Sequence, residues 1–236
     1  VIGTVNPIHR IISKAHEAGA YTLVDAAQAV RHMKIDVTAL DCDFLAFSGH
    51  KIMGPTGTGV LYGKREILEL LPPVQFGGGM VDTVFQNEAS FGEPPFRFEA
   101  GTPNIAGNIA LGAAVEHFAA LRDGAAKHEK SLMEYTEKCM SEIPEIKIIG
   151  APFDRCGVIS FNIDGLQCYD TASLLDKLGI AVRSGHHCAQ PALRFYGLSG
   201  AVRVSPAYYN TFEEIDIFIA GLKKVINLSN HIAVCR

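Results

Sequence analysis

The sequence has no C-x-x-C pair, no long basic run and no uninterrupted apolar stretch approaching about 18 residues. The first absence removes zinc ribbons and a disulfide framework. The second, with a net charge of −4, argues against a grip on nucleic acid or on an anionic membrane. The third leaves no candidate for a spanning helix. There is no internal repeat and no low-complexity tract. There is also no Met start and no signal-peptide pattern: the chain opens Val1-Ile2-Gly3-Thr4-Val5-Asn6-Pro7 and reads as the continuation of a longer fold. The expectation is that it depends on upstream residues to cover a sheet edge and to be active. Six cysteines are present (Cys42, Cys139, Cys156, Cys168, Cys188, Cys235), with no pairing pattern. They point to a reducing compartment, the cytoplasm, where most act as small buried hydrophobes.

What is present suits a globular α/β protein: 236 residues, 48% hydrophobic and 19% charged. Asn6-Pro7 reads as a helix cap and first helical position, with Ile8, Ile11, Ile12, Ala15 and Ala18 following at helical spacing up to Gly19. Short apolar strands are predicted at 21–24, 43–47 and 60–62, and their rhythm predicts a largely parallel sheet. Residues 75–102 read as an extended excursion with one hairpin. Helices are predicted over 104–121 and 125–141, with a domain boundary near Arg122-Asp123-Gly124, giving units 1–122 and 123–236. The second unit reads as α+β, with strands near 147–149, 158–162, 181–183 and 201–204 and helices near 169–178 and 212–228.

Two strand ends are polar: Asp25-Ala26-Ala27-Gln28 and Ser48-Gly49-His50-Lys51. In open α/β sheets ligands bind outside the carboxyl ends of the strands. Taken singly, Asp25 is a loop cap and His50 and Lys51 are solvated surface; taken together, about 25 residues apart, they can converge on one ligand. Lys51 stands among small and apolar residues, where desolvation favours the neutral, nucleophilic amine. Pyridoxal phosphate (PLP) needs such a lysine and an acid facing its pyridine nitrogen; Asp25 is the candidate acid, with Ser48 and His50 as phosphate donors. The Gly54–Gly59 stretch is not a phosphate-binding P-loop, because Thr58 and Arg65 stand where that motif needs Gly and Ser or Thr.

A second constellation is Arg183-Ser184-Gly185-His186-His187-Cys188-Ala189-Gln190-Pro191. A cysteine beside histidines and near an arginine is in a setting that favours thiolate, on a loop that Ser-Gly predicts to be mobile. A structural cysteine and a metal site are the alternatives, the latter short of ligands. Arg203 follows on a predicted strand; with Arg183 it could clamp a carboxylate through planar, bidentate contacts, or stand exposed.

These segments, together with Phe98-Glu99-Ala100-Gly101-Thr102-Pro103-Asn104, resemble the SUF-type (group II) cysteine desulfurase and selenocysteine lyase family, from the first residue almost to the last. The most specific segment is Arg-x-Gly-His-His-Cys-Ala at 183–189. The resemblance implies the PLP-dependent transferase fold of type I, as part of the large, mostly parallel-sheet domain followed by a smaller α+β domain. It implies that Lys51 carries PLP and moves the Cα proton, that Asp25 pairs with the ring nitrogen, and that Gln28 bonds the ring oxygen. Ser48 and His50 then hold the phosphate, and Thr102 reaches the phosphate of the other subunit of a homodimer. Arg203, with Arg183, binds the substrate carboxylate, and Cys188 attacks the sulfur of L-cysteine or L-selenocysteine. L-Alanine leaves, and the persulfide on Cys188 passes to a SufE- or SufU-like acceptor for Fe–S cluster assembly. No metal is implied. Two departures stand out: Pro206 follows the strand of Arg203, and the family's phosphate-cradling turn and ring-stacking histidine have no counterpart in these residues. The competing readings are another class V PLP enzyme, an aminotransferase or kynureninase-like hydrolase that does not need Cys188, and an inactive interaction module.

Overall fold

The computed structural model of the chain describes residues 1–150 and 154–234; Cys235, counted above with the other cysteines, lies outside them. The chain forms two compact units, one of Pro7–Arg122 and one of Val1–Asn6 together with the chain from Asp123 on. The first six residues thus differ from the division read in the sequence. Ser160 Oγ donates to Val1 O at 2.6 Å and Arg155 Nη1 to Ile2 O at 2.6 Å. Val1 and Ile2 pack on Ile149, Leu193 and Ala201.

In the Pro7–Arg122 unit the order is α1 (Ile8–Glu17), β1 (Leu23–Asp25), α2 (Ala29–His32), α3 (Val37–Leu40), β2 (Phe44–Ser48), β3 (Gly59–Gly63) and α4 (Arg65–Leu70). A hairpin of β4 (Val81–Val84) and β5 (Ala89–Phe91) follows, and then the start of α5 (Ile105–Ser141). Pro7, not Asn6, is the cap of α1. Strand β1 runs parallel to β2, and β3 antiparallel to β2. Ile12, Ala26, Cys42 and Leu45 form one small core, and Ile52, Leu111 and Phe118 another.

A buried carboxylate ties these elements together. Asp43, one residue before β2, is 4% exposed. It accepts from Thr22 N at 2.7 Å and Thr22 Oγ1 at 3.0 Å, just ahead of β1. His16 Nε2 of α1 lies 2.9 Å from it, and Lys64 Nζ, just after β3, 3.2 Å. Burial pushes its pKa up, but the bonds from His16, Thr22 and Lys64 outweigh that and hold the carboxyl well below the usual range.

The second unit holds the rest of α5, then β6 (Ile146–Ile148), β7 (Ile159–Ile163), α6 (Cys168–Asp176), β8 (Arg183–Gly185), α7 (Gln190–Phe195), β9 (Ala201–Val204) and α8 (Phe212–Val234). Its sheet, ordered β6-β7-β9-β8, is antiparallel throughout. Its core is larger and continuous: Leu132 and Met140 of α5, Ile159 and Phe161 of β7, Leu175 of α6, Val202 of β9, and Leu222 and Val225 of α8. The break expected at Gly124 does not occur, and α5 is one helix. A lone Gly costs about 1 kcal/mol relative to Ala in a helix, too little to stop one flanked by Leu121-Arg122 and Ala125-Ala126. The strand expected at 181–183 lies two residues later, so Ser184 and Gly185 are in a strand and not in a mobile loop. Pro206 lies beyond the end of β9. Among the described residues no helix is long and apolar enough to cross a membrane.

Because the carboxyl of Asp43 is held down in the folded state, its contribution is complete above the ordinary carboxylate pKa and is lost as pH falls through the folded value. Denaturant unfolding should therefore show Asp43→Asn less stable by about 3 kcal/mol at neutral pH, the scale for breaking a buried charge network. The gap should close as the medium is acidified; a gap independent of pH contradicts the assignment.

Candidate functional site

In the first unit the two polar strand ends share an edge because β1 and β2 are parallel. Asp25 ends β1 and pairs with Ala46, two residues before Ser48 ends β2. Ala26 N donates to Ala46 O at 2.8 Å, which extends the pairing one residue past the strand. A single 3-10 turn, Gly49–Ile52, then carries His50 and Lys51 and stops at Met53, whose φ is +67°. The turn is fastened at both ends: Gly49 N donates to Thr58 O and Gly54 N to Gly49 O, each at 2.9 Å. Gly49 is required by space, since a Cβ there would lie 2.5 Å from Thr58 Oγ1 and 2.9 Å from Leu111 Cδ1.

Oδ1 of Asp25 accepts from Ala27 N at 2.9 Å, which turns the chain back after the strand. Lys51 is half-buried and its amine makes no hydrogen bond or ion pair among the described residues, while Gln28 and His50 are exposed and Ser48 is half-buried. An unpaired primary amine, a carboxylate, a hydroxyl and an imidazole therefore stand on one sheet edge. Thr102 is apart from this edge in sequence, exposed in the turn before α5; Gly101 N beside it donates to Gly78 O at 2.8 Å.

In the second unit Arg183 and Arg203 are direct cross-strand partners on β8 and β9. Like charges facing each other repel, and among the described residues no carboxylate pairs with either arginine. Arg203 Nε is buried without a bond, and burial first, then the Arg183 charge, pushes the Arg203 pKa down. A planar carboxylate placed at this pair would relieve the repulsion and satisfy the unbonded Nε–H.

Cys188 lies in the connection between these two strands and is exposed. Its N–H donates to His186 Nδ1 at 3.2 Å, and Ala189 N to His186 O at 2.9 Å. His187 is buried and donates from Nε2 to Ala201 O at 3.0 Å. Burial first, then the Arg203 charge, lowers the His187 pKa. The buried role of His187 was not read in the sequence, where the His-His doublet before Cys188 served only as the surroundings of the thiol. Tyr169 was also missed: a Cβ on Gly185, whose φ is +113°, would lie 3.0 Å from its hydroxyl.

The family model described as aminotransferase class-V matches residues 1–218. A cysteine desulfurase of Enterobacter sp. (strain 638) is 50% identical over 230 residues, covering 97% of this chain. The chain spans 56% of that relative's length. Among solved structures, the cysteine desulfurase CsdA of Escherichia coli superposes with a TM-score of 0.90 at 39% identity, over 97% of this chain and 57% of CsdA. The apo cysteine desulfurase of Thermococcus onnurineus NA1 gives 0.91 at 39% identity, over 95% and 57%.

The crowding at Gly49 is open to test. Gly49→Ala should lower stability by about 1–3 kcal/mol, the scale for overpacking a filled site, read from the urea midpoint. Adding Thr58→Ala should restore part of the loss, since it removes the nearest atom; no recovery would mean that Leu111, not Thr58, sets the limit.

Proposed function

The chain belongs to the aminotransferase class-V family, and we propose that it acts as part of a PLP-dependent cysteine desulfurase, releasing L-alanine from L-cysteine and leaving a persulfide on Cys188. The observation that carries this reading is the pair of constellations held by one chain: a lysine amine with no bond among the described residues on an acid-ended sheet edge, and an exposed cysteine between strands whose facing arginines have no carboxylate partner among the described residues. The donor set of the first unit fits PLP. Lys51 offers an amine for its aldehyde, Asp25 an anion for its ring nitrogen, Gln28 an amide for its ring oxygen, and Ser48 and His50 donors for its phosphate.

PLP, when bound, supplies an electron sink that stabilises negative charge at the substrate Cα. Asp25 holds the ring nitrogen protonated by opposing its charge. Arg203 and Arg183 bind and orient the substrate carboxylate, which replaces their mutual repulsion with charge-assisted hydrogen bonds. The amine of Lys51 takes the proton from Cα. The thiolate of Cys188 attacks the substrate Sγ: an S–S bond forms, the Cβ–S bond breaks, and its electron pair goes to the carbon fragment that leaves as alanine. The persulfide then passes to a SufE- or SufU-type acceptor protein serving Fe–S cluster assembly, and L-selenocysteine is a second substrate of the same site.

Two further parts of the reading rest on the surface of the first unit and on the cysteines. Phe76, Val84, Phe85, Phe96, Ile105 and Ile109 are all exposed around the hairpin and the start of α5. So much apolar surface supports a homodimer in which a second copy covers it and Thr102 reaches the other copy's phosphate. The five described cysteines are all free, which supports a reducing, cytoplasmic setting.

With PLP and L-cysteine the protein should release alanine. Lys51→Ala should lose both the visible absorption of bound PLP and alanine release, whereas Cys188→Ser should keep the absorption and lose the release. Alanine formation unchanged in Cys188→Ser contradicts the proposal. Arg203→Ala should raise KM for L-cysteine between about tenfold and a hundredfold, the scale of hydrogen bonds to a charged group, with the PLP absorption intact.

A further inference from the structure

His187 and Cys188 are consecutive non-glycine residues in left-handed backbone, with φ of +52° and +57°. L-residues avoid this region, and two in succession persist only where the surroundings hold them. The Cys188 side chain is exposed and offers no anchor. His187 does: the residue is 9% exposed, and its Nε2 lies 3.0 Å from Ala201 O. Ala201 pairs with Gly185 across β8 and β9 and stands two residues before Arg203. The imidazole therefore ties the start of the connection, two residues after β8, to the first residue of β9.

The protonation state follows from the partners. A carbonyl oxygen only accepts, so Nε2 carries the hydrogen. Nδ1 is buried with no bond. As a lone pair it is tolerated; as an N–H it would be an unpaired donor on a buried cation, with Arg203 and Arg183 both raising the local positive potential. The ring stays neutral, and its one hydrogen bond is the one to Ala201.

We propose that His187 is a positioning residue for the sulfur-transfer step: its buried imidazole, bonded to Ala201 O, holds the left-handed turn that presents the Cys188 thiol. This rests on the desulfurase reading for what the thiol does, and on the geometry of the connection alone for how it is held. Substrate capture belongs to Arg203 and Arg183, so loss of the anchor slows turnover and leaves binding of L-cysteine in place.

The test compares His187→Leu, which removes the donor and keeps the apolar bulk, with His187→Gln, whose Nε2 can still donate to Ala201 O. Both are made in the PLP-loaded protein. Amide exchange of the peptide spanning 186–189 reports the turn without any turnover. His187→Leu should exchange about tenfold faster than the unsubstituted protein, the scale of one lost hydrogen bond, and show kcat about tenfold lower with KM unchanged. His187→Gln should restore both. Exchange and kcat unchanged in His187→Leu overturn the proposal, as does a His187→Gln variant that behaves like His187→Leu. Should the leucine variant fail to fold, the glutamine variant decides alone: wild-type exchange and kcat support the anchor, and loss of either overturns it. If the unsubstituted protein releases no alanine while the exchange contrast persists, the desulfurase reading fails and the anchoring of the turn stands.

Discussion

The carboxylate of Asp43 is buried, and a buried anion needs partners within reach or the chain around it does not close. It has them on three elements: His16 on α1, Thr22 at the entry to β1 and Lys64 at the exit of β3. Those contacts sit at the start of β2 and leave its far end to Ser48 and the turn that follows it. Because β1 is parallel to β2, fixing their entries also fixes their exits. Asp25 and the Ser48–Lys51 turn therefore emerge on one edge. The apolar cores of this unit are small, so a polar node carries a share of the organisation that packing alone would carry in a larger core.

The second unit works by the opposite means. Its core is broad, drawn from α5, β7, α6, β9 and α8, and stable enough to carry features that cost free energy locally. Among the described residues two arginines face each other with no carboxylate between them, a guanidinium Nε is left unbonded, and the thiol-bearing Cys188 and its neighbour His187 take left-handed backbone. Such features gather where a fold serves a ligand more than its own stability. Under the proposed function all three serve one guest: an amino acid whose carboxylate would satisfy the arginines and whose sulfur would meet Cys188.

Much of this was legible in the sequence, for identifiable reasons. Strands ending in Asp25 and Ser48 are visible because apolar runs stop abruptly at polar residues and glycine. The hairpin in 75–102 and the cysteine-bearing segment were equally clear. Other parts were hidden. Helices α2 and α3 have four residues each, too few for a helical period to show. The continuity of α5 depended on its neighbours outweighing Gly124, and β8 began two residues late because the pairing with β9, not local propensity, sets its limits. The facing of Arg183 and Arg203 needs the strand order to be known, and the left-handed turn at His187-Cys188 leaves no mark, since neither residue is glycine.

The central claim is that sulfur from L-cysteine arrives on Cys188 through chemistry that requires Lys51. Its most direct test is mass spectrometry of the Cys188 peptide after a single turnover with sulfur-isotope-labelled L-cysteine. The account predicts one labelled sulfur on Cys188, with alanine in equal amount, and none in Lys51→Ala. Alanine formed with the label on another cysteine, or on none, would contradict it.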